Sequence, residues 1–241
     1  SLDLRPDEVL FRLNRMSQDL DTTQIATCVY ATYDPVTRAC ALACAGHVPP
    51  ILVRPDGETE LLELPAGVPL GIGNDPFEMR ELTLPHDSVL AFYTDGLVES
   101  RDRDIDEGIG MVRELLTGRH QDLEELCDLT IGAQRPGHER DDIALLLARV
   151  RELDEDDVVE LRLPSDRRSA VRARRFVRAT LTEWRLEAIA DTAELLVGEL
   201  VANAIEHGSG PVKLRLLRGP TLVCEVADRS AVLPTMREVG G

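Results

Sequence analysis

Two apolar runs, each with a carboxylate at one end, constrain this chain more than any other feature in it. SVLAFYTDG has an apolar strand pattern that stops at Asp95 and Gly96, and RDDIALLLARV has one that starts at Asp141 and Asp142. Charges are tolerated beside a buried core when they are solvated, paired or holding a metal. If the two runs pair as antiparallel neighbours, the end of the first lies beside the beginning of the second, and Asp95 and Asp141 share one rim of a sheet. Hard oxygen ligands at such a rim suit Mg²⁺ or Mn²⁺, and a glycine after the ligand lets the backbone turn away sharply. On spacing alone, a plain turn at Asp95-Gly96 and a strand terminator at Asp141 are the simpler reading.

The residues before these runs supply partners for such a sheet. Pro6 followed by Val9, Leu10, Leu13, Met16 and Leu20 predicts an amphipathic helix. TCVYATYDP and TRACALACAG are β-rich, ILVRPDGETELLEL reads as a hairpin with Asp56-Gly57 at its tip, and MRELTL adds a strand. Residues 106–116 and 121–133 have helical spacing, and 142–150 is the last strand. Antiparallel strands with a few packed helices indicate an α/β sandwich. Cys28, Cys40, Cys44, Cys127 and Cys224 lack metal-type spacing and read as buried thiols, Cys40 and Cys44 on one strand face.

Charge divides the chain. Residues 1–150 carry 13 Lys and Arg against 28 Asp and Glu, whereas 151–241 carry 14 against 16. The first part therefore lacks the basic surface that nucleic acid requires. The break falls at the acidic run 152–157, read as a linker between a domain at 1–151 and another at 158–241. No run approaches the ~18 apolar residues of a membrane span, and the N-terminus has no signal-peptide pattern. The expectation is a cytoplasmic protein.

The second part contains a strand, VVELRLP, then a helix over 166–182 capped by Ser165 or Asp166, a helix over 191–207 ended by Gly208, and two strands, VKLRLL and TLVCEVAD. In LLVGELVANAIEHG, Leu196, Val197, Leu200, Val201, Ala204 and Ile205 form an apolar arc, with Glu199, Asn203 and His207 as a stripe along its edge. Such a stripe can reach a ligand across the helix; it can also be an ordinary solvated face. The arginines at 167, 168, 172, 174, 175 and 178 fit a solvated face or a docking surface for an acidic partner.

CAGHVPPILVRPDG, VPLGIG, FYTDGLVESR and RDDIALLLAR, in this order, resemble the sporulation-type branch of the bacterial PPM metal-dependent protein serine/threonine phosphatases. The resemblance implies a PPM-type α/β sandwich of antiparallel sheets with flanking helices. It also implies Asp95 and Asp141 as ligands of a catalytic Mn²⁺ or Mg²⁺, and hydrolysis of phosphoserine or phosphothreonine by metal-bound hydroxide. The family's other metal-binding aspartates belong to segments not found here. With Ser1 in place of a methionine, the expectation is an N-terminally incomplete sequence. His47 reads as structural or catalytic, and Arg101, Arg103 and Arg140 as binders of substrate phosphate or as counter-charges.

The second string resembles the N-box of the GHKL-type ATPases, in the form found in anti-sigma-factor serine kinases, which implies a second α/β sandwich. By that resemblance Asn203 coordinates Mg²⁺ of Mg-ATP, Glu199 is the general base, His207 lines the phosphate end and Asp228 of EVADRS accepts from the adenine amino group. Arg229-Ser230 replaces the usual glycines, with Pro234 and Arg237 as in a variant of this branch, and the later glycine-rich box and ATP lid are missing from this sequence. Together the resemblances imply a phosphatase–kinase regulator of sigma-factor partner switching, acting on a phosphorylated STAS-domain antagonist, with a sigma factor as a further partner. The competing expectation is a catalytically incompetent nucleotide- or partner-binding module.

Overall fold

The computed structural model describes residues 4–19, 25–99, 103–119, 121–133 and 142–230. Asp141, Arg101, Arg140, Pro234 and Arg237, singled out in the sequence, lie outside them. The chain divides into two compact units, one over residues 4–152 and one from Leu153 onward. Among the described residues no helix is long and apolar enough to cross a membrane.

The first unit is built in four layers. Helix α1 (Pro6–Asp19) covers a sheet of β1 (Cys28–Tyr33), β2 (Ala39–Ala45) and β5 (Met79–Thr83), ordered β1-β2-β5. A second antiparallel sheet, ordered β4-β3-β6-β7, contains β3 (Ile51–Val53), β4 (Thr59–Leu61), β6 (Val89–Tyr93) and β7 (Leu145–Arg149), and carries α2 (Ile105–Leu116) and α3 (Leu123–Gly132). The period-two alternation of strands sorts side chains between layers. Cys40, Leu42, Leu52 and Leu90 fill the space between the sheets; Ile51, Val53, Val89 and Ala91 face α2 and α3; the small Ala43 and Ala45 face α1, meeting Leu10. All five cysteines are free thiols, and burial pushes Cys40 up to about 11. The hairpin is as expected: Arg54 accepts from Gly57 N, and Gly57 has φ +93°.

The last strand starts at Leu145 rather than at 142. The hydroxyl of Thr94 takes the N–H of Ala144 at 2.9 Å and donates to the carbonyl of Asp142 at 3.0 Å. A side chain thereby replaces the next ladder partner, and regular pairing ends.

The second unit is a two-layer sandwich. Its antiparallel sheet, ordered β10-β9-β8, consists of β8 (Val158–Leu163), β9 (Val212–Arg218) and β10 (Leu222–Ala227); α4 (Ser169–Glu183) and α5 (Ala190–His207) cover one face. Val212, Leu214 and Leu216 point into the core, while Lys213 and Arg215 on the other face pair with Glu160 and Glu225. Two expectations are corrected. Helix α4 begins at Ser169, because Asp166 Oδ1 accepts the N–H of Arg168 and forms a local turn first. In α5, Leu196 and Leu200 are exposed, and the buried stripe consists of Ala190, Ala193, Val197, Val201 and Ala204, small residues that let α4 approach closely. The acidic run ends in a 3₁₀ turn, Glu155–Asp157, that is tied to its own unit. There Asp157 pairs with Arg218, whose guanidinium lies 5.2 Å from the Trp184 ring, and the Trp184 indole donates to the Asp156 carbonyl.

Candidate functional site

The β6–β7 ladder decides where Asp95 lies. Tyr93 pairs with Leu145, Thr94 N donates to Ala144 O, and the Thr94 hydroxyl reaches Asp142, so the end of β6 and the approach to β7 share one rim. Asp95 opens a 3₁₀ turn, Asp95–Leu97, with an exposed carboxylate whose Oδ1 accepts from Gly96 N at 2.9 Å. The turn is fixed from behind. Arg103 donates to the carbonyls of Leu97 and Val98, and Gly108 of α2 lies so close that a Cβ there would sit 1.7 Å from the Val98 oxygen. Arg103 is thus committed to the backbone behind Asp95.

His47 stands at the same rim. Its Nδ1 is 2.9 Å from the Thr27 hydroxyl, and burial lowers its pKa against the opposing pull of the Tyr93 carbonyl and the Asp95 carboxylate. Held by protein groups on two sides, the ring favours the structural reading. The Tyr93 hydroxyl donates to Pro49 O at 2.8 Å, pinning the turn that carries His47.

In the second unit, Glu199, Asn203 and His207 are all exposed on α5, one turn apart and about 40° apart in sequence around the axis. Among the described residues the Asn203 and His207 side chains have no hydrogen-bond partner. Glu199 faces Arg174 of α4, with 3.7 Å between Oε1 and the guanidinium NH2. Arg174 reaches it by crossing Gly198, where a Cβ would meet its Nε at 2.1 Å; a side chain there would close the path. Asp228 follows β10 and turns back onto the end of α5, its Oδ1 accepting from the backbone N–H of Ser209 and Ser230. A Cβ on Gly208 would lie 2.6 Å from the Asp228 carboxyl carbon, so the helix-ending glycine is required by contact; its φ is −86°.

Residues 1–151 match the family model described as Stage II sporulation protein E (SpoIIE). The chain belongs to the SpoIIE family. In this family member a SpoIIE-type PPM phosphatase domain is followed by a histidine kinase-like ATPase domain, whose family model matches residues 163–238. Among solved structures, the RsbU and RsbW domains of a Mycobacterium tuberculosis protein are similar at 23% identity and a TM-score of 0.56, over 94% of this chain and 66% of that one. The phosphatase domain of the cell fate determinant SpoIIE from Bacillus subtilis matches at 20% identity and 0.47, over 62% and 67%. RsbX in complex with magnesium matches at 20% and 0.43, over 57% and 62%. The chain thus spans just under two thirds of the length of the first of these.

The two sites differ in how completely their residues fit the groups their families use. Asp95 is a single carboxylate with one oxygen already engaged, and no group of three or more His, Cys, Asp or Glu able to hold a metal ion occurs among the described residues. Those residues alone do not make a metal centre. The α5 face fits better: an unpartnered carboxamide at Asn203 and a carboxylate at Glu199, one turn apart, are suitable donors for a hydrated Mg²⁺ and for a proton-accepting role. The sequence pattern does not separate Arg174 from the other arginines of its helix, and it does not mark Thr94. The Gly-Glu pair at 198–199 was the available signal for the first; nothing local marks the second.

Proposed function

We propose that this SpoIIE-family protein is a divalent-metal-dependent phosphatase of serine- or threonine-phosphorylated proteins, linked to a nucleotide-binding serine kinase domain. The observation that carries the phosphatase reading is the β6–β7 ladder, which brings Asp95 to the same rim as Asp142 and Ala144. In this reading Asp95 and Asp141 are two carboxylates of a Mn²⁺ or Mg²⁺ site completed by further oxygen ligands. In the kinase domain, Asn203 and Asp228 would hold Mg-ATP, which when bound supplies the phosphoryl group. Glu199 takes the proton of the incoming hydroxyl, Arg174 holds that carboxylate in place and His207 lines the phosphate end. The proposed substrate is a STAS-domain anti-sigma-factor antagonist, with a sigma factor as a further partner, in the cytoplasm. Support comes from the same pairing of domains in the similar RsbU–RsbW structure.

The test is Mn²⁺-dependent phosphate release from a phosphoserine STAS-domain protein by the natural full-length protein. Asp95→Asn should abolish release without changing the melting temperature, and a rate close to the parent's would refute the metal assignment. A second reading, a binding module without catalysis, draws on the absence of a metal-binding group among the described residues. It requires that the parent itself release no phosphate at any Mn²⁺ concentration.

A further inference from the structure

The end of the second sheet away from Asp95 is lined by arginine. Val53, Val89 and Arg149 stand in one register row across β3, β6 and β7, four residues along β6 from Tyr93 and therefore roughly 13 Å away by strand rise. Against that row lies a cavity of about 300 Å³. Its lining includes Arg54, Arg119 and Arg149, drawn from the β3–β4 hairpin, the α2–α3 connection and β7, and the apolar Val53, Val89 and Leu126. Asp87 is the one carboxylate among its lining residues. Convergence of three arginines is notable in a segment where acidic residues outnumber basic ones 28 to 13.

The walls are preformed. Gly118 N donates to Gly57 O at 2.9 Å, and a Cβ on Gly57 would sit 2.7 Å from Gly118 Cα, so two glycine backbones lock the α2–α3 connection onto the hairpin tip just before Arg119. Arg149 is oriented by a bond to Gln121 O, and Arg54 by its ion pair with Glu60. Arg119 makes no ion pair among the described residues. Planar guanidinium forks match phosphate oxygens in a way that a point charge does not, and an apolar floor accepts the body of a ligand.

We propose that this cavity binds a small phosphate monoester with an apolar body, at a site separate from the Asp95 rim and from α5. The probe is phenyl phosphate, titrated into the ¹⁵N-arginine-labelled full chain in EDTA while the side-chain Nε–H signals are followed. Saturable shifts are expected at Arg54, Arg119 and Arg149, with inorganic phosphate weaker and phenol silent. Arg119→Gln, on an exposed loop, should weaken binding about tenfold, the loss of one charge-assisted contact, at unchanged melting temperature. Asn203→Ala should bind as the parent does. Equal, non-saturating shifts at exposed arginines such as Arg15 and Arg162, parental affinity in Arg119→Gln, or loss of binding in Asn203→Ala would each overturn the proposal.

Discussion

The turn that presents Asp95 depends on a missing side chain in α2, and replacing it gives a sharp test of how the site is built. In Gly108→Ala the new Cβ would stand 1.7 Å from the Val98 oxygen and 2.5 Å from its carbonyl carbon. Real Cβ contacts do not fall below 3.0 Å, so helix and turn must part by at least about 1.3 Å. The obstacle is backbone, and the carbonyl involved is one that Arg103 also holds, so no rotamer change relieves it. Helix propensity favours alanine by about 1 kcal/mol. Overpacking costs about 1–3 kcal/mol, here at the upper end, leaving a net destabilisation of about 1–2 kcal/mol. For a unit of this size that lowers the calorimetric transition by about 2–8 °C. Fluorescence of Trp184, the one tryptophan, reports on the second unit and should keep its midpoint. Because displacement of a catalytic group by 1 Å can cost on the order of 10²-fold, phosphatase activity of the full-length protein should fall by about that factor at temperatures where the variant is folded. A variant as stable as the parent, or more so, would show that helix preference prevails and that α2 does not lock the turn.

His47 offers a pH test: burial lowers its folded pKa below the ordinary 6.5, so the unfolded chain binds more protons and stability declines as pH falls through 6.5. The urea midpoint of His47→Gln should lose that part of the pH dependence, and an unchanged profile would refute the burial argument. Asp104 caps α2 by accepting the N–H of Glu107 at 2.9 Å, so Asp104→Ala should cost about 1 kcal/mol in urea unfolding of the first unit. In the full-length protein, Asn203→Ala should remove Mg-ATP binding in calorimetry, whereas Glu199→Gln should bind Mg-ATP and slow transfer to the partner serine. Parental ATP affinity in Asn203→Ala would leave that face merely solvated.

The fold was legible where a residue's local pattern also determined its layer. Alternation in TRACALACAG and ILVRPDGETELLEL placed the strands, Asp56-Gly57 placed the hairpin tip, and the two carboxylate-ended runs announced the β6–β7 pair. What failed depends on contacts distant in sequence. The beginning of β7 is moved by the Thr94 hydroxyl, some 50 residues earlier, which takes the Ala144 N–H. The division into units falls between Glu152 and Leu153, inside the acidic run read from charge as a linker, but the pairing of Asp157 with Arg218 and of Trp184 with the Asp156 carbonyl is not visible from a window around residue 155. Arg174 was indistinguishable from its arginine neighbours until α4 and α5 packed and Gly198 left it a path to Glu199.

The clearest lesson about the candidate site comes from α5. Summing hydrophobicity around the helix gives leucine more weight than alanine, which draws the expected apolar arc towards Leu196 and Leu200. Burial follows a different rule, because α4 and α5 approach through Ala173 and Val177 against Ala193, Val197 and Val201, and close helix packing selects small side chains. The buried stripe is therefore narrower than the expected arc and excludes the leucines, leaving Leu196 58% and Leu200 45% exposed. By the 3.6-residue period Leu196 lies about 20° and Leu200 about 60° from Asn203, at the margin of the buried stripe. By the same period the centre of the buried stripe lies about 160° from Glu199, about 120° from Asn203 and about 80° from His207, so the stripe of three runs from the outer side of the helix to its flank. A ligand held by Asn203 is then approached from solvent and meets an apolar surface beside the polar stripe, a mixture that a purely solvated face would not supply.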